Sequence, residues 1–243
     1  MILLLTSCIN PGGMPFTAIS NPQERERQYV KALNFYISHT TYPIVFTENS
    51  GTDISHLFEE HIRSGRLECL TFCGNNNKDQ GKGYGECEII QYALDHSQLI
   101  RSCKHPRIAK ITGRLIVRNL STIVRMHSCI FSKRTILCAV NSDLSFPDSR
   151  FFIAPIEFLR LFLMHKEGIN DNKGRFFEHV LGETIKAQTS FPFSPFLTMP
   201  QIEGCSGSTG TVYNASPQTL SFMLTYAKYA LWQRKKFKKL YRP

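Results

Sequence analysis

The most chemically suggestive residues in this chain are cations set among glycines and hydroxyls, just after runs that read as strands. Gly81-Lys82-Gly83-Tyr84-Gly85-Glu86 follows one such run and opens a helix. Free N–H groups at a helix start, close backbone approach at glycine and an ammonium group together suit a phosphate. The segment is not a Walker A loop, because no Lys-Ser/Thr pair follows its last glycine, and it lacks the spacing of a dinucleotide fingerprint. Lys110-Ile111-Thr112-Gly113-Arg114 places two further cations at the end of another strand, where they could neutralise a diphosphate leaving group. Asn141–Arg150, with Asp148 and Arg150, concentrates polar groups after a fifth strand. Phe177-Glu178-His179 puts a carboxylate beside apolar rings, where partial burial would raise its pKa towards that of a general base. Gly204–Gly210, with Ser206, Ser208 and Thr209, could wrap a polar ligand in N–H and hydroxyl groups. Taken singly, each segment also reads as an ordinary polar turn or a solvated strand face.

The elements that must position these residues alternate. Strands are predicted at Met1–Thr6, Pro43–Thr47, Leu67–Phe72, Arg107–Ile111 and Ile136–Val140, and helices at Gln23–Ile37, Ser55–Ser64 and Glu86–His96. Gly74–Gly85 reads as a glycine-rich loop. Such alternation argues an α/β domain with a largely parallel sheet, whose ligands bind beyond the carboxyl ends of the strands. The stretch after the second strand, Glu48-Asn49 onward, belongs to the same edge.

Composition narrows the rest. A chain of 243 residues with 42% hydrophobic content and 18 Phe is neither disordered nor low-complexity. Its eight cysteines are scattered without a second close pair to complete a zinc site, and a reducing compartment suits them. Leu5-Thr6-Ser7-Cys8 mimics a lipoprotein cleavage box, but four apolar residues without a basic flank are too few, and a buried first strand is expected. The formal charge of +10 is concentrated at one end. Lys228, Arg234, Lys235, Lys236, Lys238, Lys239 and Arg242 lie in the last segment with no acid among them. A nucleic-acid-binding domain would spread its bases over a face, so no nucleic acid is expected. A basic aromatic tail suits an anionic membrane surface.

In order along the chain, Tyr42–Ser50, Gly81–Glu86, Lys110–Arg114, Asp148–Arg150, Phe177–His179 and Ser206–Gly210 together resemble a family of bacterial GT-A-type glycosyltransferases of capsule and lipopolysaccharide assembly. The resemblance implies a GT-A-like, Rossmann-like mixed sheet over residues 1–220, followed by a basic amphipathic helix over 221–243. It implies a nucleotide-sugar donor held by Glu48, Asn49, Lys82, Gly83, Lys110, Thr112, Gly113, Arg114 and Arg150. The acceptor, a saccharide or lipid-linked saccharide, would meet His179, Ser206, Ser208 and Thr209. The resemblance also gives Glu178 the role of catalytic base in an inverting transfer, with Asp148 the second catalytic candidate. Better-known members carry a metal-binding Asp-X-Asp where this chain has Lys110–Arg114, and none of its six aspartates makes that motif. No cofactor is therefore expected, and magnesium or manganese is the less favoured reading. The implied location is cytoplasmic, peripheral on the inner face of the cell membrane. Two alternatives stand beside it. One is a sugar nucleotidyltransferase, disfavoured because Asn10-Pro11-Gly12-Gly13 carries no arginine before Arg25. The other is a non-enzymatic module that binds membrane or nucleic acid through the tail.

Overall fold

The computed structural model describes residues 1–14, 17–74, 76–216 and 218–241; Asn75 and Arg242 of the segments above lie outside them. The chain runs β1 (Ile2–Ser7), α1 (Pro22–His39), β2 (Ile44–Glu48), α2 (Glu59–Arg63), β3 (Leu67–Thr71), α3 (Lys82–His96), α4 (Gln98–Arg101) and β4 (Arg107–Thr112). It continues through β5 (Ile116–Val117), α5 (Leu120–Ile130), β6 (Ile136–Val140), β7 (Pro147–Pro155), α6 (Ile156–Leu163), α7 (Phe177–Ala187), β8 (Phe193–Ser194), β9 (Ile202–Cys205), β10 (Val212–Tyr213) and α8 (Leu220–Tyr241).

Seven strands form the main sheet in the order β3-β2-β1-β4-β7-β6-β8. The first four are mutually parallel, β7 runs antiparallel to both its neighbours, and β8 is parallel to β6. The architecture is a Rossmann-like α/β fold with a mostly parallel, mixed sheet and a C-terminal helix, as the alternating pattern predicts. Apolar residues on both faces of the strands explain the three layers. Leu4, Ile108 and Phe152 pack against α3, α6 and α7, while Leu3, Leu5 and Ile111 pack against α1 and α5. Parallel strands buried on both faces read as continuous apolar runs, and β1 and β2 are buried at every position.

Local signals set several boundaries. The Asn21 side chain accepts from Glu24 N at 2.9 Å and Pro22 occupies the first turn, which starts α1. The helical stretch expected over Ser55–Ser64 is a single tight turn at Ser55–Leu57 followed by α2. The glycine-rich stretch expected as a loop is partly helix: α3 begins at Lys82, so Gly83 and Gly85 lie in its first turns. The polar stretch Asn141–Arg150 is also divided. Its second half opens β7, an antiparallel strand that places Asp148, Ser149 and Arg150 inside the sheet rather than in a loop.

The chain crosses from β1 through α1 on one face of the sheet and returns from β3 through α3 on the other. The order therefore reverses between β1 and β4, the crevice where open sheets of this kind bind ligands. A second small sheet, β10-β9-β5, carries the Ser206–Gly210 turn over that crevice.

Candidate active site

A cleft of about 410 Å³ opens at the carboxyl ends of β1 and β4, a volume suited to a small-molecule ligand. Its walls bring together Asn49, Lys82, Gly83, Thr112, Arg114, Arg150, Glu178, Ser206 and Ser208 from six separate stretches of the fold. Arg25, Tyr29, Glu86, Asp171, Phe177 and Tyr213 line it too.

Three cations share one side. Lys82, on the first turn of α3, donates from Nζ to Ser208 Oγ at 2.6 Å and so bridges that helix to the β9–β10 turn. Its pKa is lowered, first by burial, with Arg114 and Arg25 adding repulsion against the attraction of Asp171 and Glu86. Arg114 lies against the Tyr29 ring, 6.0 Å from its centroid, and its Nε and Nη1 are buried with no hydrogen-bond partner. Buried guanidinium donors left unmade are costly, and an anion in the cleft would satisfy them. Gly207 makes room for this group, because a Cβ there would stand 2.2 Å from Arg114 Nη2. Arg25 is 6% exposed and anchors the loop after β1, donating to Cys8 O at 2.7 Å and Ile19 O at 3.0 Å.

The start of α3 is organised from outside the helix. Gly81 has φ +92°, and a Cβ on it would fall 2.5 Å from Asp171. Asp171 can therefore sit against the helix end, where its Oδ2 accepts from Gly83 N at 3.0 Å. Burial raises the pKa of Asp171, against the lowering effect of the Gly83 and Lys82 N–H groups.

The candidate base lines the same cleft. Glu178 sits on the first turn of α7, beside the buried Phe177, and accepts a hydrogen bond from Ser149 Oγ. Burial raises its pKa; the Ser149 bond and the Lys110 charge oppose the shift, and the Glu86 charge adds to it. Arg150 lies 4.7 Å from the centroid of the Tyr213 ring and is held by Asp148 through Nη2–Oδ2 at 2.6 Å and Nε–Oδ1 at 2.9 Å.

Several expected site residues take other places. Lys110, expected to face a diphosphate, is fully buried. Its Nζ pairs with Glu86 and donates to Ser149 O at 2.6 Å, under the rings of Phe152 and Phe177. Glu48 is likewise fully buried, its carboxylate taken up by Ile9 N at 2.8 Å and by Ser50 N and Thr52 N at 2.9 Å. These bonds shape the loops after β1 and β2 and leave no donor-binding face. Gly113 packs on the backbone of β1, where a Cβ would meet Thr6 O at 2.8 Å. Asp148 is engaged by Arg150, His179 Nδ1 accepts from Phe176 N at 3.0 Å, and Thr209 is an exposed turn residue. None of these six lines the cleft.

Arg25, Glu86 and Tyr213 enter the cleft unforeseen as site residues. Glu86 closes the quoted glycine motif and so had a sequence signal; Arg25 sits among surface-type charges and had none. Among the described residues, no three His, Cys, Asp or Glu side chains cluster closely enough to hold a metal.

No protein-family description matches the chain, and no curated protein does. Among solved structures it is similar to a cytidylyltransferase from Leptospira borgpetersenii serovar Hardjo-bovis (strain JB197), at 14% identity and a TM-score of 0.42, over 100% of this chain and 96% of that one. At that level the likeness decides nothing about chemistry, which has to be argued from the cleft.

Proposed function

We propose that this protein transfers a sugar from a nucleotide-sugar donor to a saccharide acceptor, in the assembly of a capsule or lipopolysaccharide. The observation that carries this reading is the presence of two complementary groups in one cleft. Arg114 brings buried, unsatisfied N–H donors to it, and Glu178, a desolvated carboxylate, lines it too. Arg114 and Lys82 would hold the diphosphate, with Arg25 adding charge beneath it. Glu178 would take the proton from an acceptor hydroxyl as that oxygen attacks the anomeric carbon. The bond from that carbon to the diphosphate breaks, and the nucleoside diphosphate leaves against the cations. Thr112, Gly83, Asn49 and Arg150 would complete the donor side, and Ser206 and Ser208 the acceptor side.

Nucleotidyl transfer is the second reading, and one observation favours it. An arginine does support the loop after β1, delivered from α1 as Arg25 rather than from within the loop. The argument from sequence against this alternative therefore loses its force. Here a sugar hydroxyl or phosphate oxygen would attack the α-phosphorus of a nucleoside triphosphate, releasing pyrophosphate. The two readings share a transferase that works on nucleotide-activated sugars and differ in the bond made.

Thermal-shift screening against nucleotide-sugars and nucleoside triphosphates identifies the ligand, because a bound ligand raises the melting temperature by mass action. Release of nucleoside diphosphate from a nucleotide-sugar supports glycosyl transfer. Release of pyrophosphate from a triphosphate with a sugar or sugar phosphate gives the second reading, and neither product overturns both.

A further inference from the structure

The C-terminal helix is held by one side only. Ala230, Gln233 and Phe237 are its buried residues; Phe237 packs on Phe193 with ring centroids 4.6 Å apart, and Gln233 Nε2 donates to Val140 O at 3.0 Å and Asn141 O at 3.1 Å. Arg234 lies over the Phe131 ring and Lys236 Nζ donates to Ser142 O at 2.9 Å, so these two cations brace the helix against the body. At 100° per residue, Lys228, Trp232, Lys235 and Lys239 point the opposite way, and all four are exposed.

That outward side mixes two kinds of residue. Leu224 is 56% exposed, Leu231 44% and Trp232 49%, a concentration of large apolar groups that a helix facing water does not ordinarily carry. No Asp or Glu follows Glu203 in the sequence, and among the described residues Lys228, Lys235 and Lys239 make no ion pair. The start of α8 adjoins a groove lined by Met199, Val212 and Phe222 together with Arg150 and Tyr213. Those two residues also line the candidate cleft, so the groove and the cleft are neighbours that share Arg150 and Tyr213.

We propose that the outward side of α8 docks on an anionic lipid bilayer, with the groove at its start opening towards the membrane. Aromatic and aliphatic side chains enter the interface and lysines meet the headgroups, the division of labour of an interfacial helix. Tyr229 and Trp232, stacked with centroids 5.6 Å apart, have the amphipathic rings suited to that depth. A second copy of the chain fits this face poorly, because pairing two such helices sets lysine against lysine. With α8 docked this way, the apolar end of a lipid-linked acceptor would stay in the bilayer while its saccharide reached the cleft past Arg150 and Tyr213. That consequence rests on the glycosyl-transfer reading; the docking itself does not.

The test is binding of the full chain to vesicles of phosphatidylglycerol with phosphatidylcholine, against phosphatidylcholine alone, by co-sedimentation. The wild-type chain should bind the anionic vesicles, be released by salt, and ignore the neutral ones. A Leu224→Gln, Leu231→Gln, Trp232→Gln variant and a separate Lys228→Gln, Lys235→Gln, Lys239→Gln variant should each bind at least about tenfold more weakly, with unchanged circular dichroism. The lysine variant keeps the test open should the apolar one fail to fold. Wild-type failure to bind, or variants binding as tightly as wild type, overturns the proposal. So does wild type sedimenting as a dimer that the apolar variant abolishes, which gives the face to a second copy. Vesicle binding without any transferase activity would sink the functional reading and leave the docking intact.

Discussion

Lys110 and Glu178 are joined through a single residue. Lys110 Nζ donates to the backbone carbonyl of Ser149 at 2.6 Å, and the Ser149 hydroxyl donates to Glu178. The same Lys110 pairs with Glu86, whose Oε1 also accepts from Thr6 Oγ1 at 3.0 Å. A buried ammonium therefore ties β1, β4, β7 and α3 together under the cleft floor and fixes the serine that orients the candidate base.

Lys110→Met should act on stability before it acts on binding. Removing one partner of a buried pair leaves the other charge uncompensated, a cost of about 3 kcal/mol. Urea unfolding should show that loss, and the folded variant should retain nucleoside diphosphate affinity within a few-fold. A loss of affinity with stability unchanged would put Lys110 against the ligand.

Arg114→Ala should weaken nucleoside diphosphate binding by about 1–3 kcal/mol, the scale of a hydrogen bond to a charged group. Gly207→Ala should do the same with the arginine still present, because its Cβ takes the space of the guanidinium. Calorimetric titration of both variants checks this. If Gly207→Ala binds like wild type, Arg114 has room to move and its seat is not fixed by the glycine.

Glu178→Gln keeps the shape and the Ser149 contact but cannot accept a proton, so turnover should fall at least about 10²-fold with donor affinity retained. Activity within a few-fold of wild type would move the base elsewhere, with Asp171 the next carboxylate in the cleft.

The same substitution should stabilise the fold. Burial raises the Glu178 carboxyl above its ordinary value of 4.5. Between that value and the raised one, the folded chain binds more protons than the unfolded chain. Stability contributed by this group therefore falls as pH rises through the window, and a penalty remains at neutral pH. Glu178→Gln should unfold at higher urea than wild type at neutral pH, and the advantage should vanish as pH drops below the ordinary value. An equal advantage at both pH values would point to packing instead of charge.

Turnover should persist in chelator, because cations rather than an Asp-X-Asp motif face the expected diphosphate. Complete loss in chelator, restored by magnesium or manganese, would overturn this and direct attention to Asp171 and Glu86 as ligands.

The sequence by itself determined the layered α/β fold. Apolar runs such as Ile2–Leu5 and Ile136–Val140 can only be satisfied in a sheet covered on both faces, and the periodic segments between them supply the covers. It also marked the edge where the cleft lies, since Lys82, Arg114 and Glu178 each sit just past an apolar run or at a helix start. What it left open is direction. Lys110 alternates with Ala109 and Ile111 as a solvated residue would, yet its face of β4 is roofed by α3 and α7, and only that roof turns the cation into a strut. β7 was hidden because an antiparallel strand inserted beside β4 opens with Pro147-Asp148-Ser149-Arg150, residues that locally favour a turn and are carried into a strand by the pairing of Pro147 with β6 and of Phe151–Pro155 with β4. Arg25 and Asp171 reach the cleft from helices and turns distant in sequence, through bonds to Cys8 and Gly83 that no local pattern encodes. Hydrophobic periodicity is a property of neighbours along the chain, whereas the partner of a buried charge is chosen by whichever element packs across from it.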